Sequence, residues 1–587
     1  MNFFLQIKEE TRQLFRTRFI LIITIITLLL SLLSPILTKI EMIASEDAEY
    51  GYGITETIVY ETGYSTEDAP LTINGITINP ENPLYWDINF YYNEAPRNIS
   101  GTEKNFDIQI FDALRFETLD YYLMWANSFN DSSKSYYQSD LLYKMQEQIT
   151  EKFILESTIT NPTVFIDTVQ LLTSVNDFEE LIAMSLEEKN ERLQYISNLL
   201  ELTNQAITNN DIVAYSEVLL IEKNHEIDEL RSEIKLQEQA IIDNPELEES
   251  GSIAIENLNQ SIKMILDVDI PVLELRKSLK IEPYSEKWES NALRSFESSS
   301  YSILHYSKIL TEEEYREDNH LNSQYSSYNE YYKSMQLRLN QEQFDLLVAE
   351  QSLNSGEPDM KFVHNGARHL VNSSLSYSIT IACLSILIGG YVIANEFQSG
   401  TIRLLMIRPS TRFKIYTSKF IAGLIVCLAV YLIGMVLNII GFGIVSGFAD
   451  YGYPNYTASG QVNFWPLIIG RILACTTTII LAYSLSFLIS TLTKNTALST
   501  ALPAAAVFGS TIAASILAWS DYARALVYTP IPYVSIYRFF SQYGIQKQLS
   551  EQGINISLGV GIIYLLIVSC ICYILGLYVF KKKDITN

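Results

Sequence analysis

Residues 395–420, NEFQSGTIRLLMIRPSTRFKIYTSKF, organise the interpretation of the whole chain. This stretch lies between two long apolar segments. It contains one acid, Glu396, and five basic residues: Arg403, Arg408, Arg412, Lys414 and Lys419. Lys and Arg close to membrane spans mark the cytoplasmic side, because basic loops resist translocation. We therefore predict that 395–420 is a cytoplasmic loop and the contact for another protein.

Six apolar segments are long enough to cross a hydrocarbon core of ~30 Å. They are residues 19–38, 375–394, 421–448, 466–492, 497–519 and 558–580. Residues 1–18 alternate apolar and basic positions, which predicts an amphipathic helix on the inner leaflet. With six spans, both termini are inside, and 581–587 is a cytoplasmic tail. The basic clusters at 8–18, 403–419, 494 and 581–583 then also lie inside, so span number and charge agree.

The net charge of −26 is divided unevenly along the chain. Residues 39–374 hold 24 Lys and Arg against 60 Asp and Glu, whereas the other residues hold 17 against 7. The sequence therefore predicts an acidic soluble domain at 41–374, outside the cell, and a membrane block with basic flanks. The acidity serves solubility or forms a binding surface for cations or basic peptides.

Most of the 41–374 domain has a helical pattern. A small strand-rich and turn-rich part covers about 45–110, where LTINGITI at 71–78 predicts a hairpin turning at Asn74-Gly75. Leu220, Ile227, Ile234 and Ile241 recur every seven residues, which is a coiled-coil signal. A helical hairpin packing on itself is favoured over a free dimeric coiled coil. The fold class is thus an α-helical integral membrane protein with a mostly helical extracytoplasmic domain.

Three features of the membrane block carry further hypotheses. Residues 520–557 contain no full span, and the aromatic, proline-broken part at 528–540 predicts an interfacial or re-entrant helix. The fifth span is rich in small residues, which suits a packed interface or the wall of a translocation path. Arg471 lies inside the fourth span, where a charge indicates function, although snorkelling to the outer headgroups is the alternative.

Several kinds of site find no support in the sequence. A phosphate loop of the form GxxxxGK[ST] is excluded because Gly-Lys occurs nowhere. The five cysteines all lie in apolar segments, and the histidines lack the spacing of a helical metal pair. The basic residues flank spans and the soluble domain is acidic, so no nucleic-acid partner is expected. We predict no catalytic, metal or cofactor site in this chain.

The order of residues within 395–420 resembles a loop of a known family. The pattern looks like the loop after the second span of ABC-2-type transporter permeases. It consists of Glu396, then Gly400-Thr401-Ile402-Arg403, then Arg408-Pro409-Ser410-Thr411-Arg412. The layout of an amphipathic helix, six spans and a broken segment before the last is similar too. The likeness covers about 1–40 and 375–587 and leaves out 41–374.

The resemblance implies the permease subunit of an ATP-driven exporter in the plasma membrane. It implies a cytoplasmic ABC ATPase subunit that holds ATP and Mg²⁺, and a second permease subunit, alike or related. The residues that it assigns to coupling with the ATPase are Glu396, Gly400, Thr401, Arg403, Arg408, Pro409 and Arg412. The substrate is a lipid, a peptide or an antimicrobial compound.

The helical outer domain motivates an alternative from a different class. In that interpretation 41–374 is the working part of a surface scaffold or receptor, which binds a partner, and the spans are an anchor. Six spans are more than an anchor needs.

Overall fold

The structure is a computed structural model. It describes residues 3–52, 70–80, 82, 84–94, 108–126, 139–160, 181, 183–245, 248–285, 287–325, 327–402, 411–457, 460–517, 525, 527–541, 544–550 and 554–582. The chain divides into two compact units. We call Ser45–Tyr301 the inserted unit and Met1–Ala44 with Ser302–Asn587 the membrane unit.

The first half of the chain supplies two helices near its start and then the elements of the inserted unit. In chain order they are α1 (Phe3–Arg16), α2 (Arg18–Tyr52), β1 (Leu71–Ile73), β2 (Ile76–Ile78), α3 (Tyr85–Asn89), α4 (Ile108–Ala126), α5 (Ser139–Thr160), α6 (Leu186–Thr208), α7 (Ile212–Asp243), α8 (Glu248–Met264), α9 (Ile270–Leu279) and α10 (Trp288–Ser307). Short π-helical turns follow α3 and join α8 to α9.

The predicted hairpin at 71–78 is present. β1 and β2 pair antiparallel with Leu71 opposite Ile78. Asn74 and Gly75 have φ of 51° and 83°. These positive values are those of a two-residue turn whose twist matches the paired strands. Residues 54–60, which belong to the predicted strand-rich part, lie outside the described residues.

The heptad pattern forms an internal helical packing, as the sequence favoured. α7 packs against α6, α8 and α9 of the same chain. Ile227 is buried, and Ile241 faces α8, where its side chain lies against Gly251. The chain then leaves α7 at the predicted Asn244-Pro245 break, because α7 ends at Asp243. Leu220, Ile234 and Ile241 are half-buried, so the repeat marks a side of α7 that packs within the inserted unit.

The second half of the chain supplies the rest of the membrane unit. Its elements are α11 (Glu312–Glu317), α12 (Asn319–Gln324), α13 (Tyr328–Ser355), α14 (Ala367–Ser373), α15 (Tyr377–Gln398), α16 (Arg412–Ser446), β3 (Pro454–Thr457), β4 (Gly460–Asn463), α17 (Phe464–Thr493), α18 (Thr496–Leu517), α19 (Ile545–Ser550) and α20 (Leu558–Lys582). β3 and β4 form a second antiparallel hairpin.

Six described helical stretches are long and apolar enough to cross a membrane. They are Arg18–Met42, Ala367–Gln398, Arg412–Ser446, Phe464–Thr493, Thr496–Ile516 and Leu558–Lys582. With little strand in the described residues, the fold class of an α-helical membrane protein is confirmed. Most of these helices extend beyond the apolar segments seen in the sequence, because helical hydrogen bonding continues into the polar flanks.

The stretch 395–420 is mostly helical where the structure describes it. Residues 395–398 complete α15, and α16 already begins at Arg412. The Thr411 side chain accepts a hydrogen bond from the Lys414 amide and so caps the start of α16. The connection between the two helices is therefore 399–411, shorter than the predicted loop.

The core of the membrane unit forms where α15 passes between α17 and α18. A Cβ on Gly389 would lie 2.9 Å from the Tyr483 carbonyl oxygen, so the two backbones are in close approach. The Ser490 hydroxyl donates to the Gly390 carbonyl at 2.9 Å, and the Ser486 hydroxyl donates to the Ile386 carbonyl at 2.6 Å. Small and hydroxylated residues hold this apolar junction together.

Residues 520–557 differ from the expected interfacial or re-entrant helix. The described part consists of two 3₁₀ turns, Ile531–Tyr533 and Ile536–Phe540, followed by the short helix α19. Pro530 and Pro532 have no amide hydrogen to donate, so a regular helix cannot run through them. Pro532, Tyr533 and Ile536 are buried in the membrane unit.

Candidate functional site

One end of the helix bundle gathers the termini of several membrane-unit helices. The Arg412 guanidinium, at the start of α16, donates to the Lys581 carbonyl at the end of α20 at 2.8 Å. Lys494, which follows α17, lies 5.2 Å from the centre of the Phe397 ring near the end of α15. Basic residues from distant parts of the chain thus meet at this end, which we call the basic end.

A buried lysine at the basic end joins two carboxylates. Lys419 is 3% exposed, and its Nζ lies 2.8 Å from Glu10 Oε2 and 3.1 Å from Glu396 Oε1. Glu10 belongs to α1 and Glu396 to the last turn of α15, whereas Lys419 belongs to α16. One ammonium therefore connects three helices. We call Lys419, Glu10 and Glu396 the Lys419 cluster.

The face of α1 explains why Glu10 is buried. Gln6, Glu10 and Leu14 follow one another at intervals of four residues, so they share one side of the helix. All three are buried, and α1 packs against α16 on this side. A carboxylate in this position needs a charged partner, because an unpaired buried charge is costly. Lys419 supplies it.

Gly400 and Thr401 have local roles at the end of α15. Gly400 has φ of 73°, the left-handed conformation with which a helix commonly ends and which glycine adopts without strain. The turn brings the Thr401 hydroxyl to the second carboxylate oxygen of Glu396, to which it donates. The Gly-Thr pair therefore orients the acid that contacts Lys419.

A small cavity opens beside the cluster. Its volume is about 130 Å³. Glu10, Glu396 and Lys419 line it together with Asn395 and Tyr391 of α15 and with Thr17. The arrangement has two carboxylates for one ammonium, so the polar wall of this cavity has an excess of negative charge.

The structure brings together part of the predicted coupling set. Glu396, Gly400 and Thr401 lie within or beside the Lys419 cluster, and Arg412 contacts Lys581 at the same end. Arg403, Arg408 and Pro409 lie outside the described residues.

Sequence reasoning missed Glu10 as a site residue and counted Lys419 only as one of the basic residues of the loop. The position of Glu10 on the same helical face as Leu14 was the available signal.

Arg471 lies at the other end of α17 from Lys494. Ile468, Ile472 and Cys475 on the same side of the helix are buried, whereas Ile469 and Leu473 on the opposite side are more than half exposed. The Arg471 guanidinium donates to Asn372 Oδ1 at 2.6 Å and lies 5.3 Å from the centre of the Phe540 ring. Arg471 is thus directed into the protein. Asn372 and Phe540 are its contacts in the described structure, and both a functional role and snorkelling to the outer headgroups stay predictions.

The fold and the charged end define a multi-pass α-helical membrane protein. Residues 6–585 match the family described as ABC-2 family transporter protein, and the chain belongs to this family. It is a transmembrane permease subunit of an ABC transporter. The match includes 41–374, so the expectation that the family likeness leaves out this part is wrong.

A curated relative is similar over part of the chain. The uncharacterized protein YhcI of Bacillus subtilis (strain 168) is 26% identical over 224 residues, which is 37% of this chain and 68% of that protein. This similarity is to a protein without an assigned activity, so it adds no substrate.

Proposed function

We propose that this chain is the permease subunit of an ATP-driven exporter and that a separate cytoplasmic ABC ATPase moves it through the basic end. The observation that supports this proposal is the Lys419 cluster. Its three charged groups lie on α1, α15 and α16, and two of these helices border the connection 399–411. A force applied to that connection would therefore be transmitted to α1, α15 and α16 together.

The proposed orientation places the basic end in the cytoplasm. Arg412, Lys414, Lys494 and Lys581 gather there, as the positive-inside tendency requires. The inserted unit and the rest of 41–374 then lie outside the cell, because an odd number of spans separates them from α1. ATP and Mg²⁺ would bind to the ATPase subunit, and this chain would hold no cofactor.

The proposed motion is a shift between two packings of the spans. Nucleotide binding would close the ATPase subunits and press on 399–411, which includes Arg403, Arg408 and Pro409 of the predicted coupling set. Since Lys419 links α1 to the ends of α15 and α16, these elements would move as one body. The ATPase would thereby favour one of two packings, a population shift driven by nucleotide.

The second permease subunit is proposed to pack on α18. One side of this helix is exposed and combines small and apolar residues: Leu498, Leu502, Ala505, Gly509, Ile512 and Ile516. α18 is less apolar than α2 and α20, although all three are mostly unburied in the membrane unit. A less apolar exposed helix with small residues suits contact with protein better than contact with lipid.

The test of the ATPase partnership is biochemical. The full chain is co-expressed with an ATPase subunit encoded beside it and purified through a tag on this chain. The two are expected to purify together, and Glu396→Gln is expected to lower the ATPase activity of the complex. Glu9→Gln, an exposed acid on α1, is the control. Purification of the chain without any ATPase would contradict the proposal.

The orientation has a separate test. Single cysteines replace Ser399 at the basic end and Ser252 in the inserted unit, both exposed. A maleimide that cannot cross membranes is expected to label position 252 in intact cells and position 399 only after lysis. Labelling of position 399 in intact cells would overturn the assignment of the cytoplasmic side.

A further inference from the structure

The membrane unit contains an arginine whose hydrogen-bonding capacity is filled by the protein. Arg368 is fully buried, and its side chain forms an ion pair with Asp450 at 3.2 Å. Its guanidinium also donates to the backbone carbonyls of Pro358 at 2.7 Å and Tyr453 at 3.2 Å. This is the environment expected of an arginine with a structural role, because a buried charge is paired and its donors are satisfied.

Arg471 has a different environment. A guanidinium carries five N–H donors, yet Asn372 is the one hydrogen-bond acceptor that the described residues offer it. No carboxylate among them lies within ion-pair distance of Arg471. The negative charge of Asp359 attracts Arg471 from beyond ion-pair distance. The Asp359 oxygens accept hydrogen bonds from the backbone amides of Lys361 and Tyr456 instead. Within the described residues, Arg471 therefore has N–H groups without an acceptor and a positive charge without a carboxylate partner.

The neighbours of Arg471 hold it in a fixed orientation. The Asn372 amide nitrogen donates to the Phe540 carbonyl at 2.9 Å, so its oxygen is turned toward Arg471. The Phe540 ring lies on the guanidinium. A guanidinium held on a ring face keeps its edge for other partners. Arg471 itself is half-buried, so part of its side chain is accessible from outside the bundle.

The depth of Arg471 in its span and the residues around it indicate the kind of ligand that it would bind. Arg471 lies seven residues after the start of α17, about 10 Å along the helix axis. This is near one end of a span, at the level where headgroups meet acyl chains. Ile469 and Leu473, on the opposite side of the helix, are 52% and 57% exposed, so this part of α17 borders the hydrocarbon. An anionic group that reaches Arg471 at this depth is therefore best supplied by a molecule with an anionic head and an apolar tail.

We propose that Arg471, positioned by Asn372 and Phe540, binds the phosphate of an anionic phospholipid at the end of the bundle opposite the basic end. The planar guanidinium matches the oxygens of a phosphate with two parallel hydrogen bonds. The acyl chains extend from this headgroup into the hydrocarbon around the bundle. This site is independent of the coupling role of the Lys419 cluster and goes beyond the proposed exporter function.

The test measures lipid retention by the full chain. The protein is purified in detergent, mixed with equal amounts of phosphatidylglycerol and phosphatidylcholine, and examined by native mass spectrometry. We expect wild type to retain phosphatidylglycerol preferentially. Arg471→Gln is expected to reduce this preference about 10-fold, as for the loss of a charge-assisted hydrogen bond. Equal retention by wild type and variant would overturn the proposal.

Two further variants sharpen the result. Arg538→Gln removes another partly exposed arginine, which donates to the Thr511 carbonyl. It should leave retention unchanged, because Asn372 and Phe540 position Arg471. An equal loss in Arg538→Gln would indicate general charge attraction and contradict a specific site. Arg471→Lys keeps the charge without the planar fork and should bind at an intermediate level. It also replaces Arg471→Gln if the latter misfolds.

Inorganic phosphate distinguishes the two sources of the anion. In a separate sample it is added in excess over phosphatidylglycerol. Retention of the lipid in its presence is expected, because free phosphate lacks the apolar contact. Complete displacement by inorganic phosphate would show that the ligand is the free anion and would overturn the assignment to a phospholipid.

Discussion

The ammonium of Lys419 lies 2.8 Å from a carboxylate oxygen of Glu10, which precedes it by 409 residues in the chain. Glu396 approaches the same ammonium from α15 at 3.1 Å. These three charges are largely withdrawn from solvent, so each depends on the others. The relationship explains how the amphipathic helix α1 is attached to the spans, and it leads to the first two predictions.

Replacing Lys419 with methionine should destabilise the protein strongly. Two buried carboxylates would lose their shared cation, and breaking a buried pair costs about 3–5 kcal/mol in the free energy of unfolding. Thermal unfolding of the purified chain measures the loss. Lys414→Met is the matched control, because Lys414 lies on the same helix with an exposed side chain. Equal melting temperatures for the two variants would contradict the central place of Lys419.

Replacing Glu10 with glutamine should cost less stability than Lys419→Met. The variant leaves one ammonium facing one carboxylate, Glu396, so no unpaired buried charge results. The same thermal unfolding experiment ranks the two variants, with exposed Glu9→Gln as the control. If Glu10→Gln were the more damaging of the two, the charge balance of the cluster would have been assigned wrongly.

Adding a methyl group at Gly389 should separate α15 from α17. The new Cβ of Gly389→Ala would lie 2.9 Å from the Tyr483 carbonyl oxygen and 3.2 Å from the Ser486 Cβ. Overpacking of this kind costs about 1–3 kcal/mol. Gly559→Ala in α20 is the control, since its Cβ would meet nothing closer than 3.8 Å. A melting temperature unchanged by Gly389→Ala would argue against the close packing of these helices.

Removing the charge of Asp450 should loosen the contact around Arg368. Asp450→Asn leaves the fully buried Arg368 guanidinium without its ion-pair partner, a loss of about 3–5 kcal/mol in the free energy of unfolding. Limited proteolysis and thermal unfolding report the effect. Glu350→Gln, which changes an exposed acid of α13, serves as the control. Similar behaviour of the two variants would be evidence that the pair is not structural.

A cysteine on the exposed side of α18 should cross-link two copies of the chain if the permease is a homodimer. Ala505→Cys is exposed, whereas Val507→Cys points into the membrane unit, where Val507 is 2% exposed. Cys570, which is exposed, is first replaced by serine. Oxidation in membranes should give a dimer band with position 505 and none with position 507. The reverse pattern would exclude this face.

Much of the membrane topology could be predicted from local sequence. Each apolar segment has a length and composition that mark it wherever it lies in the fold, because transfer into hydrocarbon depends on the segment itself. The hairpin at Asn74-Gly75 was equally readable, since the turn needs positive φ at two adjacent residues. The proline-broken segment at 528–540 was recognised as irregular, but its two 3₁₀ turns were not.

Only part of the candidate site could be predicted from local sequence. Glu396, Gly400 and Thr401 are neighbours in sequence, and the family likeness of their spacing drew attention to them. Glu10 was not, because its partner Lys419 lies 409 residues further along the chain. The acceptor that the described residues offer Arg471, the amide of Asn372, lies on a different helix and was equally hidden.

The sequence by itself determined that this chain has six apolar helices, an acidic insertion between the first two and basic residues that gather at their ends. Those properties follow from the composition of each segment. Only the tertiary structure decided which charges meet. An ion pair between Lys419 and Glu10 depends on how α1 packs against α16, and that packing is fixed by side chains 409 residues apart.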